Sequence, residues 1–117
     1  MIAQVRPAAF PAWLRSVAQS HPLDAPVVLD VREPYERTWA ALAAHAEFRV
    51  VAIPMGEIPS RLNELDPDQA IACLCHHGMR SMQVARFLES NGFGHVVNID
   101  GGIDAWSTEV DNAIARY

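Results

Sequence analysis

The sequence predicts an α/β protein of three layers, α/β/α, built around a parallel sheet. Three observations carry that prediction. Val27–Val31 and Ala70–Cys75 are near-continuous apolar runs, the pattern of strands buried on both faces rather than on one. Helical segments fall between such runs, and strand–helix alternation builds parallel βαβ units. The chain has 117 residues, which suits a single domain over 1–117.

Each element has a local reason. Ile2-Ala3-Gln4-Val5 can supply a short fifth strand at an edge of the sheet. Pro11 stands near the first turn of a helix reaching about Ser20, with Trp13, Leu14 and Val17 on one face. Pro34 opens a short helix carrying Tyr35 and Trp39. Phe48–Ile53 reads as another strand of the doubly buried kind. Ser60–Leu65 reads as a short helix with Leu62 and Leu65 as its apolar positions. Ala70–Cys75 follows the turn-like Asp66-Pro67-Asp68. The strongest helix runs from Met79 to Ser90: Val84, Phe87 and Leu88 share a face, and Asn91-Gly92 stops it. His95–Ile99 is the last strand, and residues 103–115 form an amphipathic helix.

Composition narrows the chemistry. Half of the residues are apolar and 20% charged, enough for a real core. All nine basic residues are Arg, so a Schiff-base Lys and a phosphate-loop Lys are both excluded. The net charge of −5 arises entirely after residue 50, and no basic patch invites nucleic acid. No apolar run approaches the ~18–20 residues of a membrane span, and the start lacks a signal-peptide pattern. A soluble, cytoplasmic protein with no membrane partner is expected. Cys73 and Cys75 lie too close together to be a disulfide framework and point to reactive-thiol or metal chemistry.

Sites in open parallel sheets form outside the carboxyl ends of the strands. Two strands end in polar clusters there: Asp30-Val31-Arg32-Glu33 and Cys75-His76-His77-Gly78-Met79-Arg80-Ser81. The second puts a cysteine at a strand end, a tight loop at Gly78, then the start of the strongest helix. Free amides and the positive end of the helix dipole stabilise an anion there, so a Cys75 thiolate is favoured over the thiol. Arg80 adds positive charge. Cys73, two positions earlier and within the buried strand, reads as core packing.

These residues resemble the single-domain rhodanese (sulfurtransferase) family. The matching pieces are Leu29–Glu36, Ile53-Pro54-Met55, Cys75–Ser81, Ala85–Leu88, Gly92-Phe93 and Gly101-Gly102-Ile103-Asp104-Ala105-Trp106. Each is weak alone; their order and spacing are specific. The resemblance implies a rhodanese-like three-layer α/β/α domain with a five-stranded parallel sheet. It implies Cys75 as the catalytic residue, carrying sulfur as a persulfide. Residues His76, His77, Gly78, Met79, Arg80 and Ser81 then form the anion-binding loop. It further implies a small-molecule sulfur donor such as thiosulfate, a thiol or cyanide acceptor, and room for a protein on either side. The chain departs from the family at His45–Ala52, which lacks the usual glycine before the third strand, and in having His76 and His77 where thiosulfate-active relatives often have Arg or Lys.

Alternatives stand beside these readings. Asp30, Arg32 and Glu33 read from the residues alone as a solvated ion cluster, whereas the resemblance implies that they brace the loop by pairing with Arg80. Cys73, Cys75, His76 and His77 lack the Cys-x₂₋₄-Cys spacing of structural zinc, so neither metal nor cofactor is expected. Trp106 reads as core and the two glycines before it as a tight turn beside the loop. A Cys-dependent phosphatase or arsenate reductase would use five residues between Cys and Arg, where this chain has four. A non-catalytic regulatory or binding module of the same fold would tend to lack Cys75.

Overall fold

A computed structural model describes residues 1–21, 24–43 and 45–117. Its five strands are β1 (Ala3–Val5), β2 (Val27–Asp30), β3 (Arg49–Ala52), β4 (Ile71–Leu74) and β5 (Val96–Ile99), all parallel, in the order β1-β5-β4-β2-β3. The helices are α1 (Phe10–Ser20), α2 (Pro34–Trp39), α3 (Met79–Ser90) and α4 (Gly102–Glu109), with 3₁₀ turns at Pro7–Ala9, Met55–Glu57 and Pro59–Glu64.

β2 and β4 are buried along their whole length, and alternate side chains enter opposite layers. Val27, Leu29, Ile71 and Cys73 pack with Val84, Ala85 and Leu88 of α3. Val28, Ala72 and Leu74 pack with Phe10 and Leu14 of α1 and with Ile103 and Trp106 of α4. Each such Leu, Ile or Val contributes about 1.5–3 kcal/mol by leaving water. The chain leaves β2 outward to β3 and then returns to lay β4 on β2's other side. That reversal makes the carboxyl ends of β2 and β4 the switch point of the sheet, and both polar clusters lie there.

Three expectations are corrected. β3 is not doubly buried: it pairs with β2 alone, at an edge, so Arg49 and Val50 face solvent. The segment Ser60–Leu65 is a 3₁₀ stretch over Pro59–Glu64, kinked at Arg61. The last helix ends at Glu109 rather than near 115. There the Asp111 carboxylate accepts the Ala113 amide at 3.1 Å, offering the backbone a turn in place of the next helical bond. The connection that lacks the usual glycine is shaped by His45, which stacks on Phe48 at 4.6 Å and accepts the Glu47 amide at Nδ1. No helix among the described residues is long and apolar enough to cross a membrane.

Candidate active site

β4 ends at Leu74 and delivers Cys75, 1% exposed, just beyond the carboxyl edge of the sheet. The chain then turns through Gly78 at φ +104°, a left-handed conformation that costs glycine little, and enters α3. Two donors reach the sulfur: the Gly78 amide at 3.0 Å and the Ser81 hydroxyl at 3.2 Å. Ser81 also lies 2.5 Å from Asn98 Oδ1. With one proton to give, its hydroxyl serves the sulfur when that is anionic and Asn98 when it is not.

The loop's carbonyls are held away from the sulfur. The α4 amides of Ile103 and Asp104 bond Cys75 O at 2.9 Å and His76 O at 3.1 Å. Asn98 Nδ2 bonds Gly78 O at 3.1 Å and Gln4 Oε1 at 2.8 Å. Gly102 makes this approach possible, since a Cβ there would fall 2.4 Å from both Cys75 O and His76 O. With carbonyls tied back, the loop amides and the α3 N-terminus are left to face an anion.

Arg80 reaches sideways to α2. Its guanidinium forks onto Glu36 at 2.6 and 2.9 Å, and holds that carboxyl down to about 2. The Tyr117 hydroxyl donates to the same carboxylate at 2.8 Å and accepts from Arg32 Nη1 at 3.0 Å. Arg32, 1% exposed, in turn forks onto Asp30 at 2.9 and 2.7 Å. Burial pushes the Tyr117 phenol up to about 12, so it stays a donor.

A rhodanese-like domain model matches residues 11–109. The chain belongs to the rhodanese family. A protein named sulfurtransferase from Allochromatium vinosum is 32% identical over 81 residues, covering 69% of this chain and 71% of its own. The rhodanese-like/PpiC domain-containing protein 12 of Arabidopsis thaliana chloroplasts is 42% identical over 97 residues. That match takes in 81% of this chain but only 31% of the plant protein. Among solved structures, a rhodanese-related protein from Thermoplasma volcanium superposes with a TM-score of 0.69 at 30% identity, covering 92% of this chain and 93% of its own. The five-stranded parallel rhodanese fold expected from the sequence is therefore the one the chain adopts.

Within this rhodanese-like domain the residues singled out from sequence divide clearly. Cys75, Gly78 and Ser81 converge on the sulfur. His76 is part-buried and stacks between His77 and Tyr117, while the His77 side chain is 61% exposed and Met79 is 78% exposed. Burial, then the neighbouring His77, lower the His76 pKa, which opposes its service as a cation for an anionic donor. Cys73 is wholly buried among the α3 contacts, and burial raises its thiol far above the ordinary range.

One role is corrected. Glu33 is exposed and does not reach Arg80; its amide bonds Glu36 Oε1 at 3.1 Å, at the start of α2. Asp30 and Arg32 pair with each other rather than with Arg80. The bracing carboxylate is Glu36, one helical turn further on, where α2 turns its buried face to the loop. Asn98 and Tyr117 were also not singled out. Asn98 carried a signal, a polar residue within the apolar run Val96–Ile99; Tyr117 carried none.

The set Cys73, Cys75, His76 and His77 does not gather its donor atoms. Among the described residues the metal-capable group is His76, His77 and Asp104, within 4.8 Å of one another. Arg116 already forks onto Asp104 at 2.8 and 3.2 Å, so the carboxylate of that group is engaged by a guanidinium.

Proposed function

We propose that the chain transfers sulfane sulfur through a persulfide on Cys75. The observation that carries this reading is the pair of donors aimed at a single sulfur, the Gly78 amide and the Ser81 hydroxyl, at the start of a helix. The Cys75 thiolate attacks the outer sulfur of a donor, thiosulfate or a persulfide. The donor's S–S bond breaks, its electron pair leaves with sulfite or thiolate, and Cys75–S–S⁻ remains. The loop amides hold the terminal sulfur's negative charge at no reorganisation cost. A thiol or cyanide acceptor then attacks that sulfur, and the electron pair returns to Cys75. Donor and acceptor alternate at one site, giving ping-pong kinetics.

Phosphoryl chemistry fits less well. It needs an arginine free to fork onto phosphate oxygens, and Arg80 is spent on Glu36. The four-residue spacing from Cys75 to Arg80 also leaves a tighter ring than three equatorial oxygens require. A purely regulatory module would have no use for two donors aimed at the Cys75 sulfur. Both thiols are free, which suits a reducing compartment, and the proposal includes a cytoplasmic setting. Mass spectrometry of the intact protein after thiosulfate, glutathione persulfide or a cysteine-desulfurase mixture tests the reading: one sulfur atom is gained on Cys75. A protein that gains none from any of the three, yet hydrolyses an aryl phosphate through Cys75, is no sulfurtransferase.

A further inference from the structure

The chain after α4 lies beyond the stretch matched by the family model and turns back along that helix. The Val110 and Asp111 amides share Trp106 O at 2.9 and 3.0 Å, and the Ser107 hydroxyl donates to Ile114 O at 2.6 Å. Arg116 then grips Asp104 in the first turn of α4, beside the Cys75 loop. This strap delivers Tyr117 onto His76, with ring centroids 3.9 Å apart and planes within 10°. His77 covers the other face at 3.8 Å, and Trp39 leans on Tyr117 at 5.4 Å. Contacts with His76 and Trp39 hold the tyrosine ring flat, and its hydroxyl bonds Glu36 and Arg32.

The sandwich leaves His76 Nε2 buried with no hydrogen-bond partner among the described residues. A desolvated imidazole disfavours its cation. The groups that face it are His77 and Arg80 from the loop and α3, Asp104 from α4, Glu36 from α2, and Arg116 and Tyr117 from the strap. Arg80 and Arg116 are each forked onto a carboxylate, as is Arg32 behind them. A compact dianion arriving at the mouth meets paired guanidiniums and stacked rings.

We propose that Tyr117 is a specificity-determining residue: lying flat on His76, it gives the mouth an aromatic face that favours an organic persulfide over thiosulfate as donor. This rests on the sulfurtransferase reading above. Uncovering His76 returns its ring to water, where it can protonate and attract a dianion.

The test compares wild type, Tyr117→Phe, Tyr117→Ala and Tyr117→Leu for the rate of Cys75 loading from glutathione persulfide and from thiosulfate, with the His76 ring resonance followed by NMR. Wild type should load faster from the organic persulfide. In the Ala and Leu variants the ratio should move about three- to tenfold toward thiosulfate near pH 6, less near pH 8, and the His76 midpoint should rise. The Phe variant keeps the ring and should stay within about twofold of wild type. Leu fills the volume without a flat ring, so the reading survives a poorly folded Ala variant. An unmoved ratio in a folded Leu variant, or Phe behaving as Leu does, overturns the proposal while leaving sulfur transfer intact. A wild-type Cys75 that loads from neither donor overturns sulfur transfer itself, and this proposal with it.

Discussion

The floor and the mouth of the Cys75 site are made of different materials. The floor is mostly backbone: the Gly78 amide beneath the sulfur and the α4 amides holding carbonyls back, joined by the buried side chains of Ser81 and Asn98. The mouth is side chain: Tyr35, Trp39, Tyr117, His76 and His77, drawn from three distant stretches and leaning on one another in sequence. Backbone groups fixed by strand and helix hold one geometry whatever the side chains, whereas each ring can be exchanged for another side chain without moving that backbone. On the two proposals above, the floor stabilises charge and the mouth chooses the substrate.

The sharpest way to break that division is at the sulfur. Cys75→Ser should abolish persulfide formation, read by mass of the intact protein, while Cys73→Ser, a change within the core, should keep most of it. Equal loss in two folded variants would show that both thiols take part. Next comes the floor itself. Gly102→Ala places a Cβ against two loop carbonyls at a φ of +62°. It should cost at least about 2 kcal/mol in urea unfolding and slow sulfur loading more than tenfold. Gly94→Ala, where a Cβ meets nothing within 4 Å, should stay within about 0.5 kcal/mol.

The join between floor and mouth is the Arg80–Glu36 pair. Glu36→Gln keeps the shape but leaves a part-buried guanidinium unpaired, a loss of about 3 kcal/mol at neutral pH. Arg80 lowers the Glu36 pKa from 4.5 to about 2, so the folded state favours its carboxylate. That stabilisation is complete above pH 4.5 and fades as pH falls toward 2. The gap in urea midpoint between wild type and variant should therefore close across that window. A gap that persists at its acid end would show that the ion pair is not its source. Asn98→Ala should cost about 1–3 kcal/mol by releasing Gly78 O and the Ser81 hydroxyl. Smallest of all, Glu33→Ala should fall within about 0.5 kcal/mol, as suits an exposed residue with no hold on Arg80. A loss near that of Glu36→Gln would restore Glu33 to the brace.

The same contrast governs what could be read from the residues. The floor was legible because its signals are local: an apolar run that ends at Cys75, a glycine where the chain must turn left-handed, and a helix start just beyond. The Gly101-Gly102 turn was legible for the same reason. The brace was read one turn short, at Glu33 in place of Glu36. Both stand near Pro34, and only the packing of α2 against the loop decides which one turns inward. The edge position of β3 depends on strand order, which an apolar run does not encode. Tyr117 meets His76 through a reversal of the chain after α4, a contact with no trace in spacing or composition.

The sorting of carbonyls to one side of the loop has a consequence for how the site meets its surroundings. The field at the sulfur comes from peptide dipoles locked into the sheet–helix junction and from the buried Ser81 hydroxyl, which counter-ions cannot reach or rearrange. Salt screens exposed charges beyond a Debye length of about 8 Å at physiological strength, but leaves a buried dipole array nearly untouched. Holding the persulfide should thus be indifferent to ionic strength, and any salt dependence belongs to the approach of a charged partner across the rings outside.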